Sequence, residues 1–262
     1  VLAIGQFALH AVGDGFASWR YVHCARSWRN LYNPETGWLQ SRNADGSWKP
    51  LGDDWRESTY KNYFWMVPYN LGGLIETIGG REAAERRLDE FFVRLDAGYN
   101  DPWFAAGNEP SFHIPWVYNW VGRPDKASEV IRRTLDEQYS SAVDGLPGND
   151  DLGTMGAWYV FACAGLYPMI PGVGGFTLST PLFERITFHL KGGDLTIRGG
   201  SESRIYTTGV RLDGKPLDCA WIDWKEVAAG AGIDFSTAAK PSAAWGRANL
   251  PPSHAQHTTK PI

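Results

Sequence analysis

The stretch Gly148-Asn149-Asp150-Asp151-Leu152-Gly153-Thr154 places adjacent carboxylates in a glycine-bounded turn, and the apolar run Met155-Gly156-Ala157-Trp158-Tyr159 follows at once. Neighbouring acids repel each other, and beside an apolar helix they also lose water. A proton, a metal ion or a polar ligand offsets that cost. Two readings stand side by side. Either Asp150 or Asp151 caps the helix by accepting backbone N–H bonds, or the turn does chemistry. Asn149, Asp150 and Asp151 offer only oxygen donors, which suit Ca²⁺ or a water-activating base better than Zn²⁺.

Two further clusters carry acids where a loop becomes a helix. In Arg56-Glu57-Ser58-Thr59-Tyr60-Lys61-Asn62-Tyr63-Phe64-Trp65, Glu57 precedes an aromatic-rich segment. Aromatic surroundings raise a carboxyl pKa and keep the group protonated, as a general acid requires. The alternative is an N-terminal helix acid favoured by the macrodipole. In Gly107-Asn108-Glu109-Pro110-Ser111-Phe112-His113, Glu109 precedes a proline and is expected in extended geometry. It can meet a sugar hydroxyl or a hard cation, or it is an exposed loop acid. His113, between Phe112 and Ile114, is expected to be a satisfied core histidine.

These loops need elements to hold them. Residues 1 to about 33 read as one helix, weakened by Gly13 and Gly15 and stopped at Asn33-Pro34-Glu35-Thr36-Gly37. A Trp-bearing loop follows to about Trp55, with a turn at Asn43-Ala44-Asp45-Gly46. Apolar spacing predicts a helix from Ser58 to Ile78 and another over roughly 81–97. A third is capped by Ser111 and ends at Gly122. A fourth runs from Pro124 to about Tyr139. The last, about 153–166, is apolar nearly all round and is therefore expected inside. Alternation around Gly192-Gly193-Asp194 and around Asp213-Gly214 then predicts β-hairpins. Six consecutive helices with short connections build a bundle, a solenoid or an α/α barrel, and no fixed repeat favours the solenoid. From Pro251 the chain is polar and expected to fray.

Composition narrows the classes. A length of 262 residues allows one or two domains. A formal charge of −4 leaves no basic footprint for nucleic acid, and no apolar run is long enough to span a bilayer. Thirteen Trp residues fit either sugar stacking or a large aromatic core. Cys24, Cys163 and Cys219 show no metal-ligand spacing, and the first two are expected to be reduced core residues. The chain opens Val1-Leu2-Ala3-Ile4, as if inside an element, so a fragment is expected with any targeting signal upstream.

Taken together, the blocks resemble glycoside hydrolase family 92, the calcium-dependent α-mannosidases. The resemblance is carried by Gly148 through Phe161, then Gly165-Leu166-Tyr167-Pro168 and Pro171-Gly172. It is also carried by Gly107-Asn108-Glu109-Pro110-Ser111 with Tyr118-Asn119, and by Glu57 through Tyr63 with Val67-Pro68 and Gly79-Gly80. Trp28-Arg29-Asn30-Leu31 and Arg42-Asn43 with Asp45-Gly46-Ser47-Trp48 also fit, so the match extends nearly to Gly246.

The resemblance implies a mainly α fold: part of an (α/α)₆ barrel over residues 1–172, a β-rich segment over 173–250 and a polar tail over 251–262. An N-terminal β-sandwich and the first barrel helices would be missing partners from the same polypeptide, and the 262-residue piece alone is expected to be inactive or poorly folded. The implied function is a secreted or cell-surface bacterial exo-α-mannosidase acting with inversion on mannan or N-glycan mannose. Glu57 would be the general acid, Asp151 the general base, and Asp150 or Asn149 its support. Asn108, Glu109 and Asn149 would bind substrate. Ca²⁺ would bind mannose hydroxyls and help distort the ring; its protein ligands are unassigned, with Glu109 a candidate. Inverting carboxyl pairs stand about 6.5–9.5 Å apart to admit water.

Two departures carry their own expectations. Family members usually read Glu-Gly-Asn-Ala-Trp-Gln-Tyr at the acid, whereas Lys61 here would suit an anionic leaving group. Members described as α-1,2-specific tend to have His where this chain has Asn108. The alternatives in another class are a non-catalytic carbohydrate-binding module and an inactive truncation.

Overall fold

Gly13 and Gly15 break the first helical stretch. The structure is a computed structural model that describes residues 1–242 and 244–254. Helix α1 (Leu2–Phe7) continues through a π turn at Ala8–Val12, and Gly13, at φ 77°, ends it. Asp14 then caps α2 (Gly15–Cys24) by accepting from the Ala17 N–H at 2.8 Å. The chain folds back so closely that a Cβ on Gly5 would lie 2.9 Å from Val22. The single helix expected over 1–33 is therefore a hairpin of two helices, because a left-handed glycine followed by a capping Asp stops one and starts the next. Cys24 is exposed, not a core residue, whereas Cys163 is buried.

The Pro34–Gly37 stop is the turn between two short strands, β1 (Tyr32–Asn33) and β2 (Trp38–Leu39), paired antiparallel. The expected turn at Asn43–Gly46 forms, with the Asp45 carboxylate accepting from Ser47 N–H and Oγ. The long helix expected from Ser58 is interrupted: α3 (Tyr60–Tyr63), a 3₁₀ turn at Pro68–Asn70, then α4 (Leu71–Thr77). Pro68 has no N–H to continue a helix and sets the break. Gly79 and Gly80 turn the chain with φ near 100° into α5 (Arg81–Phe91), shorter than expected. Residues Ile114–Val121 form a 3₁₀ helix, buried throughout. Ser111 does not cap it; its hydroxyl donates to Asn62 Oδ1 at 2.7 Å. Helices α6 (Pro124–Gln138) and α7 (Thr154–Ala164) fall where the pattern predicts.

The second half is β-rich. Strands β3 (Leu166–Tyr167) and β4 (Gly175–Leu178) form a sheet with β9 (Trp221–Asp223), in the order β3-β4-β9. Strands β5 (Arg185–Leu190), β6 (Gly193–Arg198), β7 (Tyr206–Leu212) and β8 (Lys215–Leu217) join β10 (Ala231–Ala238) in the order β5-β6-β10-β7-β8. Helix α8 (Trp224–Val227) lies between β9 and β10. Both predicted hairpins are present, with Ile186 opposite Ile197 and Val210 opposite Leu217. Asp213 and Gly214 take φ 49° and 77°, the primed turn that matches strand twist. Strand β10 lies parallel to β6 and antiparallel to β7, a pairing that no local pattern specifies.

The helical half is built on aromatic rings. Trp65, Trp116, Trp120, Tyr118 and Phe64 are wholly buried, and each such side chain contributes about 1.5–3 kcal/mol of burial free energy. Trp116 stacks on Tyr167 with centroids 4.2 Å apart, tying the 3₁₀ segment to β3. Asn119 Nδ2 donates to Thr177 Oγ1 and Leu178 O, both at 2.8 Å, which ties it to β4. Most of the tryptophan content thus serves the core. The expected fraying does not begin at Pro251: the Trp120 indole donates to Pro252 O, and the His254 N–H donates to Tyr69 O. Residues 255–262 of that tail lie outside the described residues.

Some apolar surface has no cover among the described residues. Phe7 is 63 % exposed and Phe16 73 %, and Ile4 and Val12 are exposed with them. Helix α7 is not interior all round, because Ala157, Tyr159 and Val160 face solvent. Among the described residues no helix is long and apolar enough to cross a membrane.

Candidate active site

Gly107 and Gly148 bring two of the acid-bearing loops together. A Cβ on Gly107 would sit 2.2 Å from the Pro147 carbonyl oxygen, and one on Gly148 would sit 2.6 Å from the Gly107 oxygen. Neither contact leaves room for a side chain, so glycine is required here by close backbone approach. A cleft of about 170 Å³ opens where they meet, lined by Tyr99, Gly107, Asn108, Pro147, Gly148 and Asn149 among others.

The third loop is bound to the second by side chains. Asn108, 3 % exposed, donates from Nδ2 to the Glu57 carbonyl. Asn62, fully buried, accepts from Ser111 and donates to Trp103 O at 3.1 Å. His113 Nε2 lies 2.7 Å from Trp65 O. Facing a carbonyl, that nitrogen must carry the proton. Burial pulls the imidazole down to about 4, with the Trp65 carbonyl opposing, so it is neutral near pH 7. His113 is thus the core histidine its neighbours predict.

The Asp150–Asp151 doublet divides its roles. Asp150 stands at φ 53° and its Oδ1 accepts from the Met155 and Gly156 N–H groups at 2.9 and 3.0 Å. It satisfies the first orphan donors of α7, the capping role left open above. Asp151 is exposed, and among the described residues its carboxylate has no hydrogen-bond partner; only its carbonyl accepts, from Thr154 Oγ1. Asn149, also exposed, lines the cleft. Glu109 is half-buried and accepts weakly from Thr154 Oγ1 at 3.4 Å, so the Glu109 loop and the Asp150–Asp151 turn touch through one hydroxyl. Glu109 starts a 3₁₀ turn; the extended residue is Asn108, at φ −132° and ψ 128°.

Glu57 is solvent-exposed at φ 64°. Among the described residues the aromatic enclosure expected around it is absent: Trp55 and Tyr63 stack on each other at 5.1 Å. Burial and the Glu57 charge both push the Tyr63 phenol up, so that ring lies within electrostatic reach of the acid. Tyr63 Oη donates to the Arg56 carbonyl at 2.5 Å. Lys61 does not join the group. It lines a separate cavity of about 20 Å³ with Trp38, Trp65, Arg87 and Glu90. Tyr99, on the cleft wall, escaped the sequence reading, although an exposed aromatic in a loop just ahead of Gly107 is a usable signal.

Among the described residues no group of three or more His, Cys, Asp and Glu side chains is gathered to hold a metal. Asn149 on the cleft wall, and Glu109 and Asp151 on the loops that form it, offer oxygens and fit a hard cation in kind. Ca²⁺ takes six to eight oxygens, so water and substrate hydroxyls would have to complete the shell.

Comparison with known proteins agrees with the fold and the motifs. Residues 2–239 match the glycosyl hydrolase family 92 catalytic domain. The chain belongs to that family. It is similar to the family GH92 alpha-mannosidase BT3965 from Bacteroides thetaiotaomicron, with a TM-score of 0.87 and 29 % identity over 95 % of this chain and 35 % of that one. The inverting mannosidase BT2199 of the same bacterium superposes equally well, with a TM-score of 0.87 and 28 % identity over 97 % of this chain and 38 % of the other. An uncharacterized secreted glycosidase of the fungus Arthroderma benhamiae is 26 % identical over 89 % of this chain and 34 % of its own length. The chain therefore spans about a third of the length of the relatives it matches.

Proposed function

We propose that the whole protein is an exo-acting α-mannosidase that removes terminal mannose from mannan or N-glycans with inversion. Glu57 gives its proton to the leaving glycosidic oxygen as the bond to the anomeric carbon breaks. Water forms the new bond to that carbon from the opposite face and passes its proton to Asp151. Asp150 supports Asp151 by fixing the turn through its two N–H acceptances. Asn149, Asn108 and Glu109 bind the sugar at the cleft they border. Ca²⁺, held in part by Glu109, would supply polarisation of the sugar hydroxyls and favour a distorted ring.

The observation that supports this reading is the meeting of Gly107 with Gly148 while Asn108 holds the Glu57 carbonyl, because it joins the loops that carry these acids, from three distant stretches of the chain, beside one cleft. The relatives named as mannosidases supply the substrate class, and the fungal relative named as secreted supplies the location. Residues 1–172 then form part of an (α/α)₆ barrel and 173–250 its β-rich continuation. The uncovered faces at Phe7, Phe16 and Val160 are where further helices of the polypeptide pack. A β-sandwich beyond them would complete the enclosure of Glu57.

The test is Glu57→Gln in the whole protein, assayed on mannosides with poor and with activated aryl leaving groups. A loss of about 10²–10⁴-fold on the poor leaving group, and much less on the activated one, is expected of a general acid. Equal rates for variant and parent on both would remove the acid assignment. Binding of mannose without turnover by the intact parent protein would instead favour a carbohydrate-binding module.

A further inference from the structure

We infer that Asn108 is a positioning residue for Glu57, acting through the backbone of the acid; the inference rests on Glu57 being the acid of the proposed hydrolysis. Three local costs coincide at this spot. Glu57 holds φ 64°, a left-handed conformation that is unfavourable for a residue with a Cβ. Asn108 Oδ1 is buried without a partner among the described residues, and so is the hydroxyl of Ser58 beside the acid. Each unpaired buried polar atom forfeits the hydrogen bonds water gave it. A leucine at 108 would fill nearly the same volume without leaving an oxygen unpaired. What the amide adds is one donated hydrogen bond, and that bond ends on the Glu57 carbonyl. Tyr63 grips the preceding carbonyl, that of Arg56. Two consecutive carbonyls are thus held, one on each side of the Glu57 nitrogen and α-carbon.

The geometry gives the clamp a consequence. At positive φ the Cα–Cβ bond of Glu57 points where an ordinary extended or helical residue would not send it. If the carbonyl is released, the backbone relaxes to negative φ and swings the carboxyl away from its place. Since Asn108 also lines the cleft, a ligand seated there rests against the residue that aims the acid.

The experiment is a comparison of Asn108→Leu, Tyr63→Phe and Glu57→Gln in the whole protein, each on poor and on activated leaving groups. Asn108→Leu should lose about 10–100-fold in kcat on the poor leaving group, the scale of a misplaced catalytic group, and under about 3-fold in kcat on the activated one, while a lost sugar contact would raise KM for both alike. Tyr63→Phe keeps its ring on Trp55 and should show the same asymmetry more weakly, so the idea stays testable if Asn108→Leu folds badly. In the Glu57→Gln background, Asn108→Leu should cost little more, because an acid already absent cannot be displaced. If Glu57→Gln shows the leaving-group effect while Asn108→Leu slows both substrates alike, or adds in full to Glu57→Gln, the positioning role falls and the acid assignment survives. If Glu57→Gln changes nothing, the acid assignment falls and the role of Asn108 with it.

Discussion

The turn that carries Asp151 and the loop that carries Glu57 both bend through left-handed residues, yet they are held in opposite ways. In the turn, Asp150 at φ 53° and Leu152 at φ 56° are followed by Gly153 at φ 79°. The bonds that fix it run to the next few residues: Asp150 to the first N–H groups of α7, and Thr154 to the Asp151 carbonyl. In the loop, Tyr63 holds the Arg56 carbonyl from nearby, but the carbonyl of Glu57 itself, at φ 64°, is held by Asn108, 51 positions along the chain. A turn closed by its own helix folds with that helix. A loop closed from outside exists only once two separate stretches have packed.

The sharpest way to break this comparison is to separate the neighbouring acids of the turn. In the whole protein Asp151→Asn should cost about 10²–10⁴-fold in turnover on every substrate while leaving thermal stability near that of the parent. Asp150→Ala should instead lower stability by about 1–2 kcal/mol through loss of the α7 cap, read as a shifted denaturation midpoint. Equal stability losses in the two variants would show that the division between them is false.

Acid should loosen the Glu57 side before the Asp151 side. His113 is neutral when folded until about pH 4 but titrates near 6.5 when unfolded. The stability it secures is complete above pH 6.5 and is lost as the pH falls toward 4, by roughly 3 kcal/mol. Denaturation midpoints measured across that range should decline, and His113→Gln should flatten the decline. A slope of the same size in the variant would place its cause elsewhere.

Gly107→Ala should strain the seam between the two regions, costing about 1–3 kcal/mol, because the Pro147 oxygen occupies the space a methyl group needs. The smallest effect carries the most specific sign. Glu57→Gly should raise stability by up to about 1 kcal/mol, since glycine adopts positive φ freely, while removing the acid. A fall in stability would mean that the Glu57 side chain contributes more to folding than its backbone strain removes.

How much of this was legible beforehand follows from the same distinction. The hairpins at Gly193 and Asp213-Gly214, helix α6 and the glycine stop at Gly79-Gly80 are set by period and turn chemistry between near neighbours, and the sequence predicts them within a few residues. Gly13 and Gly15 mark the weak point of the first helical stretch in the sequence, but that Gly13 turns left-handed and Asp14 caps a second helix shows only in the fold. Strand β10 inserting between β6 and β7, and the docking of Pro252 and His254 on the helical core, depend on surfaces that exist only after folding.

At the site, the sequence by itself determined which groups are available: Glu57, Glu109, Asn149 and the Asp150–Asp151 doublet, each placed by composition and spacing at the mouth of an element. It also determined the family, because long blocks in a fixed order are far more specific than a short motif. The tertiary structure decided which Asp of the doublet is spent on the helix, that Glu57 stands in solvent rather than among rings, that Lys61 faces another cavity, and that Asn108 reaches the acid's backbone. Those outcomes depend on directions of side chains and contacts across dozens of residues. A local pattern fixes the periodicity of a segment, but the contact between two segments is fixed only by the shape both take when packed.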